Sequence, residues 1–185
     1  MTDFRQDHPD GVILALDQMS AYLQATLTRV WSPVGQTPFV WVTPQRDHVH
    51  FYGALDVLSG QAVALSLPRL DGENTVHFLE HIVQCFPGRA ILLLWDRAPW
   101  HKGKARQFIE AHEQLDMIYF PPGCPDLNPQ EHVWKQTRDA VGHLWDYRHI
   151  GDLRQAFQAH LDNTFFHFDW IDKYLPSPLC HSVFI

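Results

Sequence analysis

The sequence predicts an α/β domain in which helices cover a mixed β-sheet. Two short runs of apolar residues, 12–16 and 90–95, indicate buried strands. Residues 49–67 have the pattern of two strands joined by a turn, which is a β-hairpin. Helical and strand patterns alternate through the second half of the chain. Antiparallel strands followed by such an alternation are typical of a mixed sheet flanked by helices.

The first part of the chain supplies the antiparallel strands. The first strand is predicted over residues 12–17. Two short strand candidates, residues 29–31 and 39–42, lie on either side of a turn that contains proline and glycine. The hairpin has one strand over residues 49–55 and the other over residues 61–67.

The second part of the chain alternates helices with strands. Its helices have apolar residues at the three- and four-residue spacing that places them on one face. The predicted elements are a helix over residues 74–86, a strand over 90–95, a helix over 102–115, a strand over 117–120, and helices over 129–144 and 151–161.

Three regions follow from these elements. Residues 1–11 are mostly polar and are expected to be a loose N-terminus. Residues 12–162 are expected to form one domain. Residues 163–185 begin with an aromatic-rich tail that is expected to pack on that domain or on a partner.

The composition indicates a folded protein in a reducing compartment. A chain of 185 residues with 45% hydrophobic and 19% charged residues is long enough to bury a core. Three cysteines without close spacing predict a reducing compartment and argue against a disulfide scaffold or a Cys-rich zinc site. No apolar run approaches the about 20 residues that span a bilayer, and the start has no signal-peptide pattern. We therefore expect a cytoplasmic protein with no membrane partner.

Three carboxylates stand at positions that favour a metal site. Asp17 and Asp96 each follow an apolar strand, and Glu131 follows the proline-rich turn of residues 121–125. Mg²⁺ and Mn²⁺ prefer carboxylate oxygens, and phosphodiester cleavage at two ions about 3.5–4 Å apart needs such ligands. Strand ends hold side chains on a rigid backbone. The pattern therefore indicates a metal-dependent nuclease or strand-transfer site.

Each acid also has a purely structural explanation. Asp17 alone is explained best as a polar residue that ends a strand, and Asp96 equally well as a turn residue beside Arg97. Asn128 suits a helix N-cap with Glu131 at the third helical position, which is a capping box. Spacing alone favours that explanation for Glu131, but a capping box does not require the rest of the surrounding motif.

Asp56 is an alternative candidate for the first ligand. Asp56 is an acid in the same part of the chain as Asp17. It stands before a Val-Leu-Ser-Gly segment, so a role in the hairpin turn is favoured.

Two segments carry a resemblance to a known family. Residues 95–102 (WDRAPWHK) and 121–134 (PPGCPDLNPQEHVW) resemble the catalytic core of mariner-superfamily DDE transposases. The separation of Asp96 and Glu131 by 34 residues is that of a bacterial insertion-sequence branch. Further matches in order extend the resemblance over roughly residues 12–145.

The resemblance implies a fold, a cofactor and a reaction. The fold is ribonuclease-H-like, with a mixed five-stranded sheet flanked by helices. Asp17, Asp96 and Glu131 are implied to bind two magnesium or manganese ions. The implied reaction is cleavage at transposon ends and joining of the freed 3′ hydroxyl to TA-containing target DNA. The implied partners are DNA and a second copy of the chain, in the cytoplasm of a bacterium.

The chain departs from the family pattern at several places. Gln18 stands where Glu often follows the first Asp, and Arg97 stands where Asn commonly follows the second. The proline-rich turn contains Gly123 and Cys124 where the family has a Tyr-Ser pair. These changes leave the triad intact and bear on catalytic rate.

Family members also usually carry an N-terminal helix-turn-helix region that reads the transposon ends. Here the first strand begins within twelve residues of Met1. We expect that region on another chain or reading frame. A net charge of −7 agrees with this expectation, because phosphate contacts need Lys and Arg.

Several other residues are candidates for contacts with DNA. Basic residues stand at the start of the helix that follows Asp96 and, beyond Glu131, on the helix predicted over residues 129–144. They either contact phosphate or form a solvated surface. These candidates are His101, Lys102, Lys104, Arg106, Lys135 and Arg138.

The remaining candidates favour structural roles. His77, His81 and Cys85 have a spacing that zinc ligands use, but a surface or core role is favoured. Trp100 and Trp134 are expected to pack.

Two alternatives to a transposase remain open at this point. One is a catalytically silent transposase domain, truncated or co-opted, that binds DNA or protein. The other is a stand-alone metal-dependent DNA nuclease that cleaves without joining.

Overall fold

A five-stranded mixed sheet forms the centre of the molecule. The structure is a computed structural model, and it describes residues 2–23, 31–37, 39, 47–142 and 147–168. The strands are β1 (Val12–Tyr22), β2 (His48–Asp56), β3 (Ala62–Leu67), β4 (Ile91–Trp95) and β5 (Leu115–Tyr119). They are arranged in the order β3-β2-β1-β4-β5. β1, β2 and β3 pair antiparallel, whereas β4 is parallel to both β1 and β5. The predicted mixed sheet of five strands is confirmed.

Helices cover both faces of this sheet. They are α1 (Thr2–Asp7), α2 (Gly72–Cys85), α3 (Lys104–Glu110), α4 (Pro129–Val141) and α5 (Ile150–Asn163). Side chains alternate between faces along a strand, so Ile13 and Ala15 of β1 pack towards α4 and α5. Leu14 and Leu16 pack towards α2 and α3 on the opposite face. In the part of the chain that the structure describes, no helix is both long and apolar enough to cross a membrane.

The hairpin is built as the sequence predicted. β2 and β3 pair from His50–Leu67 to Leu55–Ala62. At the turn, the Asp56 carboxylate accepts hydrogen bonds from the Leu58 N–H at 3.0 Å and the Ser59 hydroxyl at 2.8 Å. Asp56 therefore has a structural role in the turn.

The first strand is longer than predicted. β1 continues to Tyr22 because it stays paired with β2 as far as His48. Its pairing with β4 ends earlier, at Ala15 and Leu94. Asp17 therefore lies inside β1, two residues past the edge of the β4 pairing, rather than at the end of the strand.

The prediction for the N-terminus was wrong. Thr2–Asp7 forms a short helix instead of a loose segment. Phe4 packs against the core on the α4 and α5 side, and the Arg5 guanidinium donates to the Gly11 carbonyl at 3.3 Å.

The helix predicted over residues 102–115 is shorter than expected. α3 ends at Glu110, and Leu115 is the first residue of β5, opposite Ile91 of β4. An apolar residue at this position suits the inner face of a helix as well as a buried strand, so periodicity did not separate the two.

Some predicted segments lie outside the described residues. These are most of the two short strands at residues 29–31 and 39–42, the end of the helix over 129–144, and the tail after residue 168. The start of the tail is described, and it packs on the domain. Phe166 and Phe168 are buried, and the Phe166 N–H donates to the Gly60 carbonyl at 2.7 Å.

Candidate active site

The three acids line one cleft. Asp17 comes from β1, Asp96 directly follows β4, and Glu131 lies in the first turn of α4. Asp17 has the strand parity of Ile13 and Ala15, and Asp96 that of Leu92 and Leu94, so both acids face the α4 side of the sheet. The cleft has a volume of about 350 Å³ and is lined by Asp17, Asp96, Arg97, Ala98, Phe120, Pro121, Pro122, Gly123, Cys124, Asn128 and Glu131.

Asp17 is held against α4. The Trp134 indole N–H donates to its Oδ2 at 3.0 Å, and the Asn128 side-chain amide donates to the neighbouring Leu16 carbonyl at 3.0 Å. Burial raises the pKa of the Asp17 carboxyl to about 7, and the negative charge of Glu131 and then of Asp96 adds to the rise. The bond from Trp134 acts in the opposite direction and does not cancel it. Burial and the two neighbouring acids therefore both disfavour the ionised form of Asp17.

Asp96 is held in its ionised form. Its Oδ1 lies 2.7 Å from the His101 Nδ1 and accepts a bond from the Ala98 N–H at 2.9 Å. The hydrogen bond with His101 is the main reason that the pKa of Asp96 is lowered. The two Asp residues of the cleft therefore have pKa values moved in opposite directions.

A buried network joins these two acids. His101 is 0% exposed, its ring centroid lies 3.8 Å from that of Trp95, and its Nε2 is 3.0 Å from the Gln18 Oε1. The Trp100 indole N–H donates to the same oxygen at 3.0 Å. Because an indole N–H is only a donor, the Gln18 amide must present its oxygen here. Gln18, which follows Asp17, is thereby linked through His101 to Asp96.

This network changes the interpretation of two residues. His101 was predicted to contact phosphate, but it is fully buried and both ring nitrogens face oxygen atoms of the site, so that prediction was wrong. Trp100 was expected to pack, and its indole N–H also donates a hydrogen bond to Gln18. The sequence signal for Gln18 was its departure from the family pattern.

Glu131 lies at a capped helix start without completing a capping box. The Asn128 side chain accepts a hydrogen bond from the Gln130 N–H at 3.1 Å and caps α4. Among the described residues, no hydrogen bond returns from the Glu131 carboxylate to the Asn128 N–H, which a capping box requires. The Glu131 side chain is exposed and lines the cleft.

The three acids line the same cleft, but they are not arranged as a ready-made metal site among the described residues. Within the described ranges, no group of three or more His, Cys, Asp and Glu residues is placed to hold a metal ion. Asp17 is bonded to Trp134 and Asp96 to His101, so each carboxylate has a protein partner. The Cys85 and His81 side chains are 3.7 Å apart and belong to no such metal-binding group either.

The predicted DNA contacts separate into groups. Lys104 forms an ion pair with Glu73 at 2.6 Å, and Arg106 forms one with Glu110 at 2.7 Å. Lys102 is exposed beside the acid cleft. Lys135 and Arg138 are exposed on α4, and their contact with DNA stays a prediction.

The comparison with protein families agrees with this geometry. The sequence model of the DDE superfamily endonuclease family matches residues 12–154. The chain belongs to this family. It is also 30% identical over 91 residues to an uncharacterized protein, y4pE/y4sA, of Sinorhizobium fredii (strain NBRC 101917 / NGR234). That match covers 49% of this chain and 65% of the relative.

Solved structures share the fold. A Mos1 transposase paired-end complex with left transposon end has a TM-score of 0.65 at 12% identity, covering 88% of this chain and 51% of that chain. The Mos1 mariner paired end complex with Mn has a TM-score of 0.64 at 15% identity, covering 87% and 52%. The catalytic core domain of BIV integrase has a TM-score of 0.54 at 10% identity, covering 86% and 88%.

These matches confirm two predictions. The fold is ribonuclease-H-like, and the resemblance to DDE transposase catalytic domains was correct at the level of the family. The chain spans about half the length of the Mos1 chains that it matches. The particular branch with 34 residues between Asp96 and Glu131 stays a prediction.

Proposed function

We propose that this chain is the catalytic domain of a DNA transposase, with residues 12–162 as the catalytic unit. It would cut DNA at transposon ends and join the freed 3′ hydroxyl to TA-containing target DNA. The observation that carries the proposal is the cleft in which Asp17, Asp96 and Glu131 meet from three separate elements of a DDE-family fold.

The chemistry of the cleft fits divalent metal ions. All three side chains are carboxylates, which magnesium and manganese prefer. The pKa of Asp17 rises to about 7 mainly because the carboxyl is buried, and the nearby charges of Glu131 and Asp96 add to the rise, as expected where acids converge. Asp17, Asp96 and Glu131 would hold two such ions. When bound, the ions supply activation of the attacking water or hydroxyl and stabilisation of the leaving oxygen.

The remaining residues of the cleft orient these acids. Pairing with Gly53 of β2 fixes the backbone of Asp17, Asp96 directly follows β4, and His101 keeps Asp96 ionised and aligned. Trp134 lies on the same helix as Glu131, and its indole N–H donates a hydrogen bond to Asp17. Glu131 is exposed, so its carboxylate has room to turn into the cleft without disturbing the core.

The partners of the catalytic unit follow from the same proposal. Transposon ends and target DNA are the substrates, and a separate helix-turn-helix region would read the ends. The net charge of −7 supports a division of labour in which this chain cuts and another region grips DNA. A homodimer, with the aromatic tail after Asn163 as contact surface, and a location in the bacterial cytoplasm belong to this proposal.

The proposal is tested by measuring metal-dependent cleavage and joining of transposon ends, with the DNA-reading region supplied in trans. Asp96→Asn should abolish both products. Asp116→Asn is the matched control, because Asp116 is exposed on the neighbouring strand β5 and should tolerate the change. Unchanged strand transfer by Asp96→Asn would contradict the proposal. Cleavage without joining would favour the nuclease alternative, and absence of both products from the wild type would favour the silent domain.

A further inference from the structure

A second cleft of opposite charge adjoins the acid cleft. It has a volume of about 370 Å³ and shares Arg97 and Ala98 with its neighbour. Its lining is Arg97, Ala98, His101, Lys102, Gly103, Arg106 and Tyr119, with no Asp or Glu among these residues. We call it the cationic cleft.

We propose that the cationic cleft binds a DNA phosphate next to the one that reacts at the acids. This inference rests on the proposed function, because it places the same DNA strand across both clefts. The ligand is a phosphodiester of the nucleic-acid backbone, and the contact does not depend on base sequence.

Arg97 stands at the border of the two clefts in a fixed position. It directly follows Asp96, and its guanidinium lies over the Tyr119 ring at 5.4 Å from the centroid. Tyr119 pairs with Trp95 where β5 and β4 end together. A guanidinium held on a rigid sheet edge can donate two parallel hydrogen bonds to one phosphate. Arg97 takes the place of the Asn that is common in the family.

Charge explains why such a site is needed beside the acids. The acid cleft repels phosphate, and a DNA strand carries one phosphate per nucleotide, about 3.4 Å apart along the helix axis. A strand that places one phosphate at Asp96 must therefore place the next one close by. Arg97, Lys102 and Arg106 put positive charge there, although the whole chain carries −7.

The neighbouring basic residues distinguish this cleft from a general basic surface. Lys104 is directed away from it to Glu73 of α2 and lines a different, open cleft. Arg106 contacts Glu110 through its Nε, and a guanidinium has further N–H donors to offer. Lys102 is exposed at the cleft wall. Arg97 and Lys102 are therefore the residues whose removal tests the site.

The test is the salt dependence of DNA binding, measured by fluorescence anisotropy with a mixed-sequence duplex in EDTA so that no cleavage occurs. A plot of the logarithm of the binding constant against the logarithm of the salt concentration has a negative slope. Arg97→Gln and Lys102→Gln should each make that slope less steep by about 0.9. Arg97→Lys should keep most of the slope. Arg89→Gln is the charge-matched control, since Arg89 lies before β4, at the other end of that strand, and donates to the Asp10 carbonyl at 2.7 Å.

Each outcome decides one of the two proposals. Slopes for both cleft variants equal to that of Arg89→Gln would overturn the cationic cleft and leave the proposed function standing. Failure of the wild type to bind the duplex even at low salt would also overturn the cationic cleft and leave the proposed function standing, because a separate region is proposed to grip the DNA. Reduced slopes in the cleft variants alone, with melting temperatures equal to the wild type, would support the site.

Discussion

Replacing the first acid should stabilise the protein while removing its activity. The pKa of Asp17 rises from 3.8 to about 7 on folding, chiefly through burial and then through Glu131 and Asp96. Each tenfold change in acidity corresponds to about 1.4 kcal/mol, so the ionised carboxylate costs the folded state up to about 4 kcal/mol. Asp17→Asn removes this cost and keeps an oxygen that can accept the Trp134 N–H bond.

The effect has a defined pH dependence. Between pH 3.8 and about 7 the folded protein binds more protons at Asp17 than the unfolded chain does, so this residue lowers stability as the pH rises. The cost is complete above about pH 7. Asp17→Asn should therefore gain up to about 4 kcal/mol at about pH 8 but only about 1.5 kcal/mol at about pH 5.

Urea unfolding at the two pH values measures this difference. Asp116→Asn is the matched control, and as an exposed substitution it should change stability by less than about 0.5 kcal/mol at either pH. A loss of stability in Asp17→Asn at about pH 8, or a gain that does not shrink at about pH 5, would refute the electrostatic reasoning.

Three further substitutions test other contacts of the site. His101→Leu removes the partner of Asp96 and should weaken manganese affinity, measured by calorimetry, about 10–100-fold. His101→Asn can keep a hydrogen-bond donor and should weaken the affinity less. Equal losses in the two variants would count against the role of the hydrogen bond. Gly53→Ala should cost about 1–3 kcal/mol in urea unfolding, because its Cβ would lie 2.5 Å from both Gln130 and Trp134; a neutral result would show that these side chains yield. Gln130 is fully buried, and neither atom of its amide has a partner among the described residues, so Gln130→Met should gain about 1–2 kcal/mol; a loss in the same assay would mean that the amide is satisfied in solution.

The sequence predicted the main strands of the sheet, and it indicated three acids that the structure places in one cleft. Apolar runs identified β1 and β4, and the hairpin followed from two strand patterns around a turn. These elements depend on local pattern and burial, which periodicity reports directly. The five-stranded fold and the convergence of Glu131 with the two Asp residues were implied by the family resemblance, since no local pattern specifies which strands become neighbours.

The contacts between distant residues were beyond the sequence. Gln18 and His101 are 83 positions apart, and their hydrogen bond depends on the way the loop after β4 folds over β1. For that reason the sequence suggested a phosphate contact or a solvated helix start for His101, although it is buried against Trp95. Likewise, the protonation of Asp17 depends on burial and on two acids from other elements.

A structure determined with manganese, located by its anomalous scattering, tests the central claim most directly. The account predicts manganese bound jointly by Asp17, Asp96 and Glu131, with His101 still bonded to Asp96. Manganese bound elsewhere, with Glu131 turned to the N–H groups of its own helix start, would contradict it.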